Sequence, residues 1–217
     1  QTTGNTDAKI DAAWSTGRLQ LNYENFQAAL TSFDEAYQLM QKKIGIEHSV
    51  NFWANLDSEI LKKYAWSNKV GNLALVTTEI AKVYEFSKNY LKAIEYYKKA
   101  IEIKKQCGDE INLMSSYKHI ANCLTELGQL DEGLKFYFIS IEGFKRNKQY
   151  EYLANSISEL GKFVQQQPTL ATHVLLDEET LALALNSISY QLLEYIKRAS
   201  SNEKDFDKVI QNIPYPL

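Results

Sequence analysis

The chain has 217 residues, 45% of them hydrophobic and 24% charged, with a formal net charge of −3. That balance suits a folded, water-soluble chain and supplies no global field that would draw in nucleic acid or an anionic membrane. Three prolines and nine glycines leave little material for long loops, and no apolar run reaches the ~18 to 20 residues a bilayer span needs.

Long stretches follow a helical period, and no Asn-Gly or Asp-Gly turn joins alternating runs, so an all-α chain is expected. The polar start, Gln1 to Thr6, reads as loose, and an opening without methionine suggests a processed protein or a piece of a longer one. The spacing predicts helices over 7–22, 25–44, 47–67, 71–87, 90–106, 110–127, 130–146, 149–166 and 178–199, with a short helical segment after Pro168. Gly45, Gly71 and Gly128 are expected to end helices, because glycine enters the left-handed region at little cost. Cys107-Gly108-Asp109 combines a stop with a start, the aspartate accepting bonds from the free amides of the next helix. Pro168 cannot continue the helix before it.

An internal repeat dominates the centre. Ile80-Ala81-x-x-Tyr84, followed by Asn89-Tyr90-x-x-Ala93-x-x-Tyr96-Tyr97-x-x-Ala100-Ile101, returns without a gap as Ile120-Ala121-x-x-Leu124 and Gln129-Leu130-x-x-Gly133-x-x-Phe136-Tyr137-x-x-Ser140-Ile141. A fixed period of this length marks stacked supersecondary units, which mostly work by presenting a surface. Small residues recur where two helices must approach, and Tyr84 and Tyr97 stand where the gap must be filled.

A third copy opens with Leu160-Gly161-x-x-Val164, then gives way to Pro168, Asp177-Glu178-Glu179 and an apolar helix expected to cap the stack. Towards the start, Gly17, Phe26, Ala29, Phe33 and Ala36 repeat the order of Ala81, Tyr90, Ala93, Tyr97 and Ala100, but the step from Gly17 to Ala81 is longer than the step from Ala81 to Ala121. The extra stretch, with Trp53 and Trp66, reads as one long helix or a tight pair. A single helix there would put the alternation of helices out of step. The expected organisation is one helical repeat domain over 1–217: a degenerate unit at 10–44, an extra helix at 47–67, clear units at 71–106 and 110–146, a degenerate unit with its cap at 149–199, and a tail at 200–217.

This order of small and large residues resembles the tetratricopeptide repeat, in its long-unit variety. The likeness covers 72–166 well and 10–44 moderately. It departs from the pattern where Thr77, Tyr117 and Ile157 replace the hallmark Trp, and where Lys105 and Lys145 replace the usual proline. The resemblance implies antiparallel helix hairpins stacked into a right-handed superhelix, an α-solenoid, with the first helix of each unit on the concave side.

On that implication the inner line carries Trp14, Arg18 and Asn22, then Leu75, Thr78, Lys82, Glu85 and Phe86, then Ser115, Lys118, Asn122, Thr125 and Glu126, then Asn155, Ser158, Lys162 and Gln165. The peptide-binding residues expected among them are Arg18, Lys82, Glu85, Phe86, Lys118, Asn122, Thr125, Asn155 and Lys162. Asn122 matches the position where many family members hold the backbone of an extended peptide, and an amide suits that task because it both donates and accepts. The basic residues suit an acidic peptide or a C-terminal carboxylate. An exposed helix face also needs polar residues for solvation alone.

No catalytic, metal or cofactor site is expected. Asp177-Glu178-Glu179 precedes a helix, where the dipole favours negative charge. His119 reads as an interface or surface histidine rather than a general base, and Cys107, Cys123 and the three histidines have no metal spacing. The aromatics and bases of Tyr96-Tyr97-Lys98-Lys99 and Lys104-Lys105 could face RNA, but Glu95 and Glu102 at helical spacing point to pairing on a solvated face. The leading reading is therefore a non-enzymatic protein-interaction scaffold, cytoplasmic, or periplasmic or extracellular if a signal peptide was removed. A bacterial peptide-sensing regulator, a sensory module of a larger signalling protein, and a self-assembling structural subunit are the alternatives. The tail from Asp205 to Leu217 is a candidate to occupy the groove itself.

Overall fold

The computed structural model describes residues 3–44 and 68–166. Seven helices account for nearly all of them: α1 (Thr3–Asn22), α2 (Phe26–Ile44), α3 (Asn68–Phe86), α4 (Tyr90–Cys107), α5 (Glu110–Glu126), α6 (Leu130–Arg146) and α7 (Tyr150–Gln166). No strand occurs among the described residues. The predicted helices at 47–67 and 178–199, the stops at Gly45 and Pro168, and the tail lie outside the described residues.

Each described turn closes in the same way. Glu24, Lys88, Gly108, Gly128 and Lys148 take left-handed backbone, with φ of 58°, 61°, 67°, 75° and 54°. The amide of each reaches the carbonyl three residues back, and the next amide reaches five residues back, at 2.8 to 3.1 Å in the pairs Asn25 to Gln20, Asn89 to Tyr84, Asp109 to Lys104, Gln129 to Leu124 and Gln149 to Phe144. Carbonyls that a helix end leaves without partners are thereby satisfied. Asp109 also starts α5 as expected, accepting the Asn112 amide at Oδ1 over 3.3 Å.

One predicted stop is corrected. Gly71 lies inside α3 rather than at a helix end, and nothing stands within 4 Å of where its Cβ would be. An interior glycine costs helix stability without forbidding the helix, and the apolar residues Leu73, Ala74, Val76 and Ile80 bury the face that follows it.

Packing divides the chain into two compact units, Gln1–Cys123 and Leu124–Leu217. In the first, α1 packs on α2 and α3 on α4 as helix hairpins. Ala81, Ala93, Ala100 and Tyr97 are fully buried, as the small and large pattern requires, while Tyr84 is only half-buried and packs on Tyr96 with ring centroids 5.3 Å apart. Burial of the Tyr96 hydroxyl, with charge from Tyr84, pushes it above its ordinary range. Lys43 near the end of α2 pairs with Asp7 near the start of α1.

The helix α2 packs directly against α3, and one core runs through both hairpins, from Ile10, Phe33 and Met40 to Leu73, Val83 and Ile103. In the second unit α6 packs on α7, burying Gly133, Tyr137, Ser140, Ile141 and Phe144 on one side and Leu153, Ala154, Ile157 and Leu160 on the other. Phe144 stacks on Tyr152 at 5.4 Å.

Gly17 shows why a small residue is needed where helices meet. A Cβ there would stand 2.7 Å from two ring carbons of Phe33, which is itself fully buried. Overpacking of that kind costs about 1 to 3 kcal/mol, more than the ~1 kcal/mol alanine gains over glycine inside a helix. Gly17→Ala should therefore lower the urea midpoint, whereas Gly71→Ala, with open space around it, should raise it; equal responses would contradict the packing described. Gly128→Ala should cost about 1 kcal/mol through backbone strain alone, since no atom crowds the site. Circular dichroism should show unchanged helix content in that variant while its thermal midpoint falls.

Candidate interaction surface

The residues expected on the inner line come from α1, α3, α5 and α7, and the structure treats them unequally. On α1, Arg18 and Asn22 are exposed one turn apart, and Trp14 is half-buried with no hydrogen-bond partner at Nε1. On α3, Phe86 is 56% exposed, whereas Lys82 is half-buried and bonded to Glu79 Oε1 at 3.1 Å, one turn away on its own helix. Thr78 is withdrawn from the surface: its hydroxyl donates to the Ala74 carbonyl at 2.8 Å and is buried. On α5, Lys118, Asn122 and Thr125 are half-buried and engaged in contacts of their own. On α7, in the second unit, Asn155 and Lys162 are exposed and two turns apart, on one face of the helix.

Two contacts in the first unit bring these helices side by side. Glu85, largely buried, accepts the Tyr97 hydroxyl at 2.5 Å, and His119 Nδ1 of α5 stands 3.0 Å from the same carboxylate oxygen, off the line of a well-directed hydrogen bond. The His119 ring stacks on Tyr97 with centroids 5.1 Å apart and planes 8° from parallel. Burial alone would raise the Glu85 carboxyl, but the contact and charge of His119, then Tyr97 and Lys118, outweigh it and hold the group below its ordinary range. Burial, then the Glu85 charge and hydrogen bond, push the Tyr97 hydroxyl well up. Glu85 is thus a link joining α3, α4 and α5, and His119 is an interface histidine.

The second contact is a cleft of about 800 Å³ where the turn after α1 faces the end of α3. Asn22, Lys82 and Phe86 meet there, with Leu21 and Phe26 as apolar walls and Lys88 at the rim. The first unit therefore brings together the expected residues of α1 with those of α3, and through His119 those of α3 with α5.

Lys104 departs from the reading that periodicity suggests. Lys99 pairs with Glu95 at 2.6 Å and Lys105 with Glu102 at 3.0 Å on the solvated face, as expected, but Lys104 is 1% exposed. Its ammonium donates to Thr78 Oγ1 at 2.8 Å, Ser116 Oγ at 2.7 Å and the Asn112 carbonyl at 3.1 Å, spending three donors on three acceptors and tying α4 to α3 and α5. The repeat itself held the signal: in the next copy the same place belongs to the buried Phe144. Neither this group nor the Glu85 cluster is open to substrate. Among the described residues no set of His, Cys, Asp and Glu could hold a metal, and no helix is long and apolar enough to cross a membrane.

A family model of the tetratricopeptide repeat matches residues 78–107, from the middle of α3 to the end of α4. The likeness to the tetratricopeptide repeat seen in the sequence is thus matched over the hairpin of α3 and α4. Repeats of this family generally mediate protein–protein interaction and are generally non-catalytic. The described residues are helical, and adjacent helices pack as antiparallel hairpins within each unit, as stacked helical repeats do. Among solved structures, the TPR domain of Arabidopsis FLU is 22% identical, with 65% of this chain and 98% of that one covered and a TM-score of 0.47. BtubC from P. vanneervenii is 16% identical, with 98% and 82% covered and a TM-score of 0.47. No curated protein matches the chain.

Burial, with a smaller push from Lys82, lowers the Lys104 ammonium from 10.5 to about 8, against opposing pulls from Asp109 and Glu79. Between pH 8 and pH 10 the unfolded chain holds a proton that the folded chain has released, so stability should rise with pH by on the order of 2 kcal/mol. Above about pH 10 the buried tyrosine hydroxyls act in the opposite sense, because their folded values are raised. In Lys104→Met the rise should vanish, and at neutral pH the variant should be within about 1 kcal/mol of the parent, since a well-packed apolar group can replace a buried charge. Urea midpoints at several pH values would show it.

Proposed function

We propose that this chain is a non-catalytic scaffold that holds a segment of a partner protein along the face formed by α1, α3 and α5 in the first unit. Its contact residues there are Arg18 on α1, Lys82 and Phe86 on α3, and Lys118 and Asn122 on α5, with Glu85 behind them; Thr125 on α5 and Asn155 and Lys162 on α7 are contact residues of the second unit. The observation that carries the reading is the adjacency of α1, α3 and α5 in the first unit, through the cleft at Asn22, Lys82 and Phe86 and through the Glu85 to His119 contact. Three neighbouring helices then offer one continuous surface rather than three separate polar stripes.

Roles divide by chemistry. Asn122 holds the backbone of an extended segment, the cations engage carboxylates, and Phe86 supplies apolar contact. Glu85 serves the surface indirectly, by fixing α3 against α5. A few anchors carry most of the affinity in such an interface.

Selection of a random dodecapeptide library displayed on phage against the full chain tests this. Enriched peptides should bind Asn122→Ala at least about five-fold more weakly, on the order of 1 kcal/mol, with helicity retained. Enriched peptides that bind Asn122→Ala and Lys118→Ala as well as the parent would remove the inner face as the binding surface.

A further inference from the structure

We infer that the cleft between the turn after α1 and the end of α3 is the anchor point of that surface, and that it takes one large apolar side chain from an acidic segment of a partner. The inference rests on the scaffold reading and adds a place and a partner chemistry. Three observations lead to it.

The first is shape. At about 800 Å³ the cleft falls in the range of ~300 to 1,000 Å³ typical of sites that enclose a ligand group. Its walls are Leu21, Phe26 and Phe86, so the interior favours an apolar occupant. The second is unspent apolar surface. Phe86 is 56% exposed, and Tyr23 and Leu91, in and just past the two turns that border the cleft, are 71% and 68% exposed. Scattered apolar residues are ordinary, but Phe86 lines the cleft itself, and Tyr23 and Leu91 are near in sequence to its lining residues Asn22, Glu24 and Lys88, so binding there would cover apolar surface.

The third is charge. Arg18, one turn before Asn22, Lys82 inside the cleft and Lys88 at its rim are cationic, against Glu24 alone on the lining. Of the carboxylates behind the lining, Glu85 is turned inward and held by Tyr97 and His119, and Glu79 is half-buried against Lys82. Lys82 is shared with Glu79, while Arg18 and Lys88 have no ion pair among the described residues. A segment that places acidic residues on both sides of a bulky apolar one matches this pattern, apolar in the middle and cationic around it. The cations stand beside an apolar wall, which rejects a basic segment of the same shape through like charge.

The probe is acetyl-Asp-Glu-Trp-Asp-Glu-amide, with acetyl-Lys-Lys-Trp-Lys-Lys-amide and acetyl-Asp-Glu-Ala-Asp-Glu-amide as controls, titrated into the isotope-labelled full chain while amide shifts are followed. The acidic tryptophan peptide should move the amides of Asn22, Glu24, Ser87 and Lys88. Both controls should bind at least five-fold more weakly, as should the acidic tryptophan peptide to Phe86→Ala or Lys88→Glu. These two side chains lie at the surface, so both variants should keep the parent's amide spectrum away from the cleft. Equal binding of the basic peptide, or unchanged affinity in Phe86→Ala, overturns the inference. Shifts confined to Lys118 and Asn122 overturn it too, while leaving the scaffold reading intact. Shifts nowhere overturn the anchor, and the scaffold reading then stands or falls on the peptide selection.

Discussion

The close approach of paired helices at small residues is the constraint on which the rest of this chain depends. A helix hairpin has too little apolar surface to stand alone, so each must meet the next closely enough to exclude water. Gly17 beneath Phe33, and the fully buried Ala81, Ala93 and Ala100 of the hairpin that buries Tyr97, set that distance in the first unit. Once the spacing is fixed, an aromatic side chain is committed to each gap, and its hydroxyl must find a partner. Tyr97 finds Glu85, and Glu85 in turn draws in His119 from the next helix. Polar links between hairpins are thus a consequence of apolar packing, not an independent layer.

The same logic explains a buried lysine. Where the second copy fills a core position with Phe144, the first uses Lys104, whose four-carbon stem occupies part of the same volume. Its charge is tolerable because Thr78, Ser116 and the Asn112 carbonyl converge on it. Removing one of those partners leaves a cation facing apolar neighbours, which is costly, while removing the charge itself is not. The network therefore makes the two central hairpins distinguishable at little net gain in stability.

Much of the fold was legible because helical period and small-residue spacing are properties of neighbours in sequence. Helix ends at Asn22, Arg146 and Gln166 follow from that pattern, and Gly108 and Gly128 announce their turns. Glu24, Lys88 and Lys148 adopt the same left-handed turn without glycine, so nothing in their identity signals it; the repeat register does. Gly71 misled because a glycine inside a helix and one ending a helix look alike until the flanking apolar face is seen to be buried. For the candidate surface, the sequence supplied the residues on each first helix but not their availability. Thr78 turned inward, Lys82 found Glu79, and only Phe86, Arg18 and Asn22 stand clearly open in the first unit, because side-chain engagement depends on neighbours remote in sequence.

The direct packing of α2 on α3 carries a consequence for how the first unit comes apart. One core joins Phe33 and Met40 of the first hairpin to Leu73 and Ile103 of the second, so neither hairpin can open without exposing apolar surface of the other. Repeat arrays gain their cooperativity from such shared interfaces, and these four helices should therefore lose structure as one block in hydrogen exchange rather than hairpin by hairpin.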